Sequence, residues 1–510
     1  MPRQNIVILL VVSLVCLICA GRTSLEEQVF HYVLGKVERE ALEPVERGML
    51  FEGAMDGMLR ETADYPYSAY LAPEEEAEYE DEIQGKMAGI GIFRLQIDEP
   101  SGELWFTPIY DSPAANALLR FGDRIVAADG TPLKGLSLRE IGKKLRGEEG
   151  TRVALTVRPR EAIFAERAEE SDAQNGSDDA ETRTIEVVRR VFHVDIIAGD
   201  RRDASGEWIF TLADHPEVGY IRIDQFTETT GKEFADALAT IPEAKALVID
   251  LRGNPGGFLP AAISVCDHFL PKGSEIVTTR RRDGSIKGRF LADGDSKRLD
   301  LKIALLIDDG SASASEIVSS ALQDHDRGTV IGTRSYGKGT VQELFPLPCG
   351  MGLLRLTDAS FWGPSGKPIH RRHDAADTDA WGVHPNERFE VPMTSAEADI
   401  AGLYRDIRAL PKETPEPGVT EKIIEQRLQT MREEDYLDDE ALSEEESNKE
   451  ESSEENGAAK DSPPKRAGIA PYFDPQLERA IQFLTEPTEA TEPTEPTKSI
   501  EPTEKNSQTE

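Results

Sequence analysis

The run Ile303-Ala304-Leu305-Leu306-Ile307 is apolar throughout, which predicts a buried strand. The stretch that follows it, Gly310-Ser311-Ala312-Ser313-Ala314-Ser315-Glu316-Ile317, predicts a sharp turn that opens a helix over 314–323. Three more short β-type runs alternate with helical segments, at 219–223, 246–251 and 330–332. This alternation is typical of βαβ units, so we expect a covered sheet in the largest domain, at 195–394.

A serine at the turn before a helix is open to two interpretations. Its hydroxyl is exposed, and the free N–H groups of the first helical turn point towards it, so the corner can stabilise an oxyanion. Serine is also a favoured N-cap residue, and the motif alone is equally typical of a plain helix start.

The segment Ser335-Tyr336-Gly337-Lys338-Gly339-Thr340-Val341-Gln342 favours the catalytic interpretation. Glycines on both sides of Lys338 allow another segment to approach closely, which would place the amine in a desolvated site. A lysine that acts as a general base near neutral pH needs a pKa roughly three units below about 10.4, which costs about 4 kcal/mol. Burial can supply this cost, and Ser313 with Lys338 would then form a nucleophile and base pair. The amide of Gln342 could hold the amine in the attacking geometry.

Two other motifs lie nearby. Gly332-x-x-x-x-Gly337-Lys338 is most of a phosphate-binding loop, but Gly339 stands where Ser or Thr should bind magnesium, and a strand pattern follows it. We therefore exclude nucleotide binding.

Asp250-Leu251-Arg252-Gly253-Asn254-Pro255-Gly256-Gly257 ends a strand in a glycine-rich turn, which is either an ordinary loop or a donor of a backbone N–H to a developing negative charge.

Taken together, these motifs resemble the C-terminal processing peptidases, also called tail-specific proteases. The resemblance covers roughly 45–390 and returns at 474–484. It implies an α+β and α/β multidomain chain with a crotonase-like serine peptidase core, an inserted PDZ domain and no metal or cofactor. The family separation of 25 residues between serine and lysine selects Ser313, and the family motif makes Gln342 the orienter of Lys338. By the same resemblance the oxyanion donors would be the backbone of Ala314 and of Gly256 or Gly257, with Glu316 in a supporting role.

The module at 83–194 resembles the PDZ domain. The resemblance implies that Ala88, Gly89, Ile90, Gly91 and Ile92 form a backbone nest for the terminal carboxylate of a protein substrate, which is added as a strand. A polar acidic stretch at 161–181 interrupts this module and predicts an exposed insertion. Within the module we expect helices at 113–120 and 138–145 and strands at 153–158 and 184–194.

The remaining segments are predicted from composition and periodicity. Apolar residues recur at helical spacing after position 24, which predicts an N-terminal helical region at 24–82. The region 395–470 reads as a helix followed by an acidic, disordered insertion, 471–484 as an amphipathic closing helix, and 485–510 as a disordered Thr-Glu-Pro tail.

The net charge of the chain argues against binding to nucleic acid. The 510 residues include 58 Lys plus Arg and 95 Asp plus Glu, a net charge of −37, so nucleic acid is a poor partner. The apolar stretch from Ile6 to Ala20 has the length of a signal-peptide core and is short for a membrane span, so we expect export, by cleavage or with residues 6–20 kept as an anchor. A periplasmic or other extracytoplasmic location follows.

The motif His370-Arg371-Arg372-His373 reads as an exposed loop and not as a metal site.

Two functions therefore remain. The favoured one is an exported serine endopeptidase that cleaves proteins at or near their C-termini through an acyl-enzyme. The alternative is a catalytically idle PDZ scaffold that only binds peptide tails. The oligomeric state is open.

Overall fold

The computed structural model describes residues 24–409 and 474–486, except 63, 65–66, 74, 77–78, 80–85, 99–102, 161–181, 295–297, 373 and 377. The expected signal or anchor segment at 1–20, the insertion at 161–181, the acidic stretch after 409 and the tail from 487 onwards lie outside these residues. None of the helices within the described ranges is both long and apolar enough to cross a membrane.

The described helices are α1 Leu25–Glu40, α2 Arg47–Arg60, α3 Pro113–Asn116, α4 Leu138–Leu145, α5 Thr230–Ala239, α6 Leu259–Asp267, α7 Ala314–Asp324, α8 Ser395–Arg408 and α9 Pro475–Thr485. The described strands are β1 Ala69–Leu71, β2 Lys86–Gly89, β3 Ile92–Asp98, β4 Glu103–Pro108, β5 Arg124–Ala128, β6 Thr131–Pro132, β7 Arg152–Arg158, β8 Arg183–Val188, β9 Arg190–His193, β10 Ile197–Ala198, β11 Arg201–Arg202, β12 Trp208–Ile209, β13 Val218–Ile223, β14 Ala246–Asp250, β15 Glu275–Arg281, β16 Ile286–Leu291, β17 Lys302–Ile307, β18 Gly328–Gly332, β19 Thr340–Pro346 and β20 Leu353–Trp362.

The central sheet has the strand order β10-β13-β14-β17-β18, and its last four strands are parallel. Every residue of β14 is buried, as expected for a parallel strand that is covered on both faces. Helices α5, α6 and α7 supply buried side chains to the core on one face. Leu477, Ala480 and Leu484 of α9 cover the other face, so the closing helix that was expected at 471–484 packs on the sheet.

A second sheet joins strands that are remote in sequence, in the order β1-β20-β15-β16, with β19 paired to β20. Strand β1 follows the N-terminal helices and pairs antiparallel with β20, Ala69 opposite Arg355. This pairing brings the N-terminal region to the peptidase core.

The module before the core is built on the sheet β3-β4-β5-β7-β8, with its own hydrophobic core. Helix α4 has the predicted bounds, and a capping box between Ser137 and Glu140 explains where it begins. Helix α3 ends at Asn116 rather than at 120, because Leu118 adopts a φ of +62° that is incompatible with a helix. The strand expected at 184–194 is divided between β8 and β9 at Arg189, whose buried guanidinium donates to the Lys144 and Leu145 carbonyls at the end of α4.

Candidate active site

Three loops meet at one edge of the central sheet. The loops that follow β14, β17 and β18 begin at Leu251, Asp308 and Thr333. Because neighbouring parallel strands end at the same edge of a sheet, these loops are brought together there. Backbone hydrogen bonds join them: Ala312 N–H donates to the Asn254 carbonyl at 3.0 Å, and Tyr336 N–H donates to the Ser311 carbonyl at 3.0 Å. The motifs around Gly256, Ser313 and Lys338 thus form one site.

Ser313 lies at the turn where the second loop enters α7. Its φ is +55°, a left-handed conformation that is uncommon for a residue other than glycine and that is found at functional turns. The neighbouring serines have structural roles, since Ser311 Oγ donates to the Leu251 carbonyl at 2.9 Å and Ser315 Oγ donates to the Asn254 carbonyl at 3.0 Å. Ser313 is therefore the serine whose backbone is strained at the strand-to-helix corner.

The buried carboxylate of Glu316 joins the Ser313 turn to the Lys338 loop. Its Oε2 accepts the N–H groups of Ser313 at 2.7 Å and Lys338 at 2.9 Å. Its Oε1 accepts Gly337 N–H at 2.7 Å and the Ser335 hydroxyl at 2.6 Å. The two nitrogens that share Oε2 are no more than about 5.6 Å apart, the sum of their distances to it. Burial raises the pKa of Glu316 to about 7, although the four hydrogen bonds work in the other direction.

The side chain of Lys338 is half-buried beside the N-terminal region. Its Nζ lies 4.3 Å from the centre of the Tyr67 ring, and the Tyr67 hydroxyl pairs with that of Tyr336 at 2.9 Å. Burial, and next the positive charge of Arg355, lower the pKa of Lys338 below its ordinary value, while Glu316 opposes them. Both effects favour the neutral amine that a general base requires.

The predicted contacts of the lysine amine are not formed in this conformation. Within the described part of the chain, Nζ makes no hydrogen bond to Ser313 Oγ or to Gln342. The Gln342 amide instead donates to Thr340 Oγ1 and Thr357 Oγ1, both at 3.0 Å. The structure thus brings the loops of Ser313 and Lys338 together, with Gln342 on β19 after the lysine loop, but leaves the amine on the tyrosine ring.

The glycine-rich loop lies against the serine turn. A Cβ on Gly256 would be 2.6 Å from the Ser313 Cβ and 2.8 Å from the Ala314 nitrogen, so only glycine fits there. The Gly256 N–H donates to Asn254 Oδ1 at 2.8 Å and is engaged. Among the described residues, the N–H groups of Gly257 and Ala314 have no backbone or side-chain acceptor. Of the two glycines that were expected as alternatives, Gly257 is the one with a donor to offer.

A buried ion-pair network anchors the same loop to the closing helix. Arg252 Nη2 contacts Asp250 Oδ2 at 2.6 Å, and its Nη1 contacts Asp474 Oδ1 at 2.8 Å. Asp474 also caps α9 by accepting Leu477 N–H. Burial works to raise the pKa of Asp250, but the guanidinium of Arg252 outweighs it and holds this pKa well below its ordinary value. Neither this network nor Tyr67 could be predicted from the sequence, because no local pattern links residues so far apart in the chain.

The expected peptide-binding residues lie where β2 passes into β3. Strand β3 is an edge strand of its sheet. Gly91 has a φ of +76°, and the carbonyls of Ile90 and Gly91 accept Ala114 N–H at 2.7 Å and Ile109 N–H at 3.0 Å. These bonds hold the turn against α3. In the described residues no acceptor is found for the N–H groups of Ile90 and Gly91.

Other candidate groups in the sequence have different surroundings. Cys266 is fully buried on α6, where it packs in the core. His370 is half-buried rather than exposed, and it borders a cavity. Over the residues that the structure describes, no three His, Cys, Asp or Glu side chains are grouped as metal ligands would be.

Comparison with known proteins identifies two families in the chain. The model of peptidase family S41 matches residues 217–387, and a PDZ-domain model matches residues 107–159. The carboxy-terminal-processing protease of Bartonella bacilliformis is 35% identical over 359 residues, which is 69% of this chain and 74% of that protein. The carboxyl-terminal-processing protease of Synechocystis sp. is 32% identical over 345 residues, or 67% of this chain and 71% of that protein. A solved structure of a photosystem II D1 C-terminal processing protease aligns with 71% of this chain and 86% of that chain, with a TM-score of 0.41 at 26% identity. The chain therefore belongs to the carboxy-terminal-processing proteases of peptidase family S41, as a serine-type peptidase that carries a PDZ domain.

Proposed function

We propose that this peptidase cleaves proteins at or near their C-termini with Ser313 as nucleophile and Lys338 as general base. The observation that carries the proposal is the double hydrogen bond of Glu316 Oε2, which holds the backbones of both residues at one oxygen. The strained φ of Ser313 and the lowered pKa of Lys338 support the same roles. Gln342 would orient the amine once its side chain leaves the two threonines.

In this mechanism the neutral amine of Lys338 takes the proton of Ser313 Oγ, and the oxygen attacks the carbonyl carbon of the scissile bond. The negative charge on the former carbonyl oxygen is stabilised by the N–H groups of Ala314 and Gly257, which have no other acceptor among the described residues. The ammonium of Lys338 then protonates the leaving nitrogen as the C–N bond breaks, which leaves an acyl-enzyme. Lys338 then removes a proton from water, the water oxygen attacks the ester, and Lys338 returns the proton to Ser313 Oγ as the acyl C–O bond breaks. No metal or cofactor takes part.

The amine must move before the first step. Rotation about the single bonds of the lysine side chain would carry Nζ from the Tyr67 ring towards Ser313. The face of an aromatic ring attracts cations, so this contact works against burial and the Arg355 charge, which lower the pKa of Lys338.

The decisive experiment uses an unstructured protein as substrate. Ser313→Ala and Lys338→Ala should each reduce cleavage by several orders of magnitude, without change in the circular dichroism spectrum. Cleavage by Ser313→Ala at the wild-type rate would refute the assignment.

The alternative of an idle scaffold is favoured by one observation, the position of the Lys338 amine on Tyr67. Mass spectrometry distinguishes the two functions, because a scaffold returns the substrate uncut even at long incubation. Serine-dependent fragments would exclude the scaffold.

The PDZ domain is proposed to select the substrate C-terminus. A peptide would pair with the edge strand β3, and its carboxylate would accept the N–H groups of the Ala88–Ile92 turn, of which Ile90 and Gly91 have no other acceptor in the described chain. Amidation of the peptide's C-terminus removes that charge and should weaken binding about tenfold or more, measured by fluorescence anisotropy. Equal affinity for both peptides would refute carboxylate recognition.

Export and the finer domain architecture are proposals as well. The apolar stretch at 6–20 supports an extracytoplasmic location, with membrane association if this stretch is retained. N-terminal sequencing of the cell-derived protein would decide between cleavage and retention. We assign 24–82 to the helical region, 83–194 to the PDZ domain, 195–394 to a crotonase-like core and 471–484 to the closing helix.

A further inference from the structure

A cavity of about 430 Å³ lies in the peptidase core next to the lysine loop. Its walls are largely apolar and aromatic, with Phe361, Trp362, Pro368 and Trp381 among the lining residues. This volume is within the range of about 300–1,000 Å³ that is usual for ligand sites. The sequence motifs assign no role to these residues.

Two walls of the cavity touch the glycines on either side of Lys338. A Cβ on Gly339 would be 2.1 Å from the His370 nitrogen, and a Cβ on Gly337 would be 2.9 Å from a ring carbon of Trp381. Phe361 N–H donates to the Gly339 carbonyl at 2.7 Å. Glycine at these two positions thus allows the wall of the cavity to pack closely against the backbone of the lysine loop.

Strand register places Thr340, which accepts a hydrogen bond from Gln342, on the same face of the sheet as two cavity-lining residues, and a bulge separates Val341 from Gln342. Thr340 of β19 is directly opposite Ser360 of β20, so their side chains share a face, and Trp362 follows on that face two residues later. The Gln342 amide donates to Thr340 Oγ1 at 3.0 Å, and Trp362 Nε1 donates to Ser360 Oγ at 3.0 Å. Ser360 and Trp362 line the cavity, so Thr340, the hydrogen-bond partner of the proposed orienter Gln342, lies on the face from which they project.

The polar groups of the cavity are few. Arg372 and Asp379, of opposite charge, also line it. The Nδ1 atom of His370 is buried and has no hydrogen-bond partner among the described residues. Burial lowers the pKa of His370 below its ordinary value, so the imidazole is neutral at physiological pH. An apolar side chain would therefore fit this cavity better than a charged one.

We infer that this cavity is a specificity pocket that takes a large apolar side chain of the substrate next to the scissile bond. The inference rests on the proposed function, because it places the pocket beside Lys338 as the general base. A chain that is anchored by its C-terminus in the PDZ domain would be cut where such a side chain enters the pocket.

Cavity-filling substitutions test this inference. Ala375→Phe, at a half-buried position, and Ala380→Phe, at an exposed position on the rim, each add a ring to the lining of the cavity. Ala239→Phe adds the same ring on α5, where it does not line the cavity, as the control. Two unstructured protein substrates are compared, one with Leu and Phe and one with Ala at the cleavable positions. Cut positions are mapped by mass spectrometry, and kcat/KM is measured for each.

The wild type and Ala239→Phe should favour the substrate with Leu and Phe. In the two filled variants the ratio of kcat/KM for that substrate to kcat/KM for the Ala substrate should fall about tenfold or more. An unchanged ratio, or a wild-type preference for acidic residues at the cut, would overturn the inference while Ser313-dependent cleavage upheld the proposed function. Cleavage that did not depend on Ser313 would refute the proposed function, and the inference with it.

Discussion

Glu316 should make the stability of the peptidase core depend on pH. Its side chain is fully buried, and its pKa is raised from 4.5 to about 7. Between these pH values the folded chain holds a proton that the unfolded chain has released. The stabilising contribution is therefore fully present below about pH 4.5 and is lost as the pH rises through about 7. A shift of about 2.5 units corresponds to about 3 kcal/mol.

The substitution Glu316→Gln removes this titration and keeps the shape of the side chain. The free energy of unfolding is measured by urea titration of the full chain at several pH values from 4 to 8, for the wild type and the variant. Relative to the variant, the wild type should lose about 3 kcal/mol over this range. The exposed Glu228→Gln is the matched control. A difference between wild type and Glu316→Gln that stays constant to within about 1 kcal/mol would refute the reasoning, because a carboxyl group that titrates alike in both states makes no such contribution.

Three further predictions concern the surroundings of the site. Arg355→Gln removes a positive charge that lowers the pKa of Lys338, so this pKa should rise and the acid limb of kcat/KM should move to higher pH; an unmoved limb would contradict the role of Arg355. Gly253→Ala should cost about 1–2 kcal/mol in unfolding free energy, because its φ is +69° and no atom lies within 4 Å of the new Cβ. Gly256→Ala, at a φ of +96° and 2.6 Å from the Ser313 Cβ, should cost more and also abolish cleavage; equal effects would show that the close approach is unimportant. Asp474→Ala leaves a buried guanidinium without one of its partners and should cost about 3–5 kcal/mol, whereas a loss below about 1 kcal/mol would mean that α9 does not depend on the pair.

Local patterns predicted the elements that carry the site. The strand at 303–307 and the helix that begins at 314 are confirmed to within a residue, and α4 has its predicted bounds. Helix α9 begins at Pro475, four residues after the expected 471, and ends within a residue of the expected 484. These predictions depend on periodicity, capping and turn residues, all of which act over a few neighbouring positions. Where a prediction was wrong, a remote contact or a backbone requirement decided the outcome: α3 ends before the left-handed Leu118, and Arg189 divides a strand while its side chain binds the end of α4.

The proposed catalytic residues could also be predicted from the chain, because serine before a helix and lysine between glycines are short motifs and the family separation selects Ser313. Their surroundings were not. Tyr67 meets Lys338 only because β1 pairs with β20, and Asp474 meets Arg252 only because α9 packs on the sheet. Gly257 rather than Gly256 is proposed as an oxyanion donor because of one hydrogen bond, in which Gly256 N–H donates to Asn254 Oδ1. Residue types and their spacing therefore settle which groups can react and which segments become strands or helices, since both depend on near neighbours. The tertiary structure decides which side chains are buried and where the lysine amine lies, because the segments that surround them meet only in the folded chain. It thereby also decides the pKa values of Glu316 and Lys338, since the cost of removing a charge from water depends on all the groups around it.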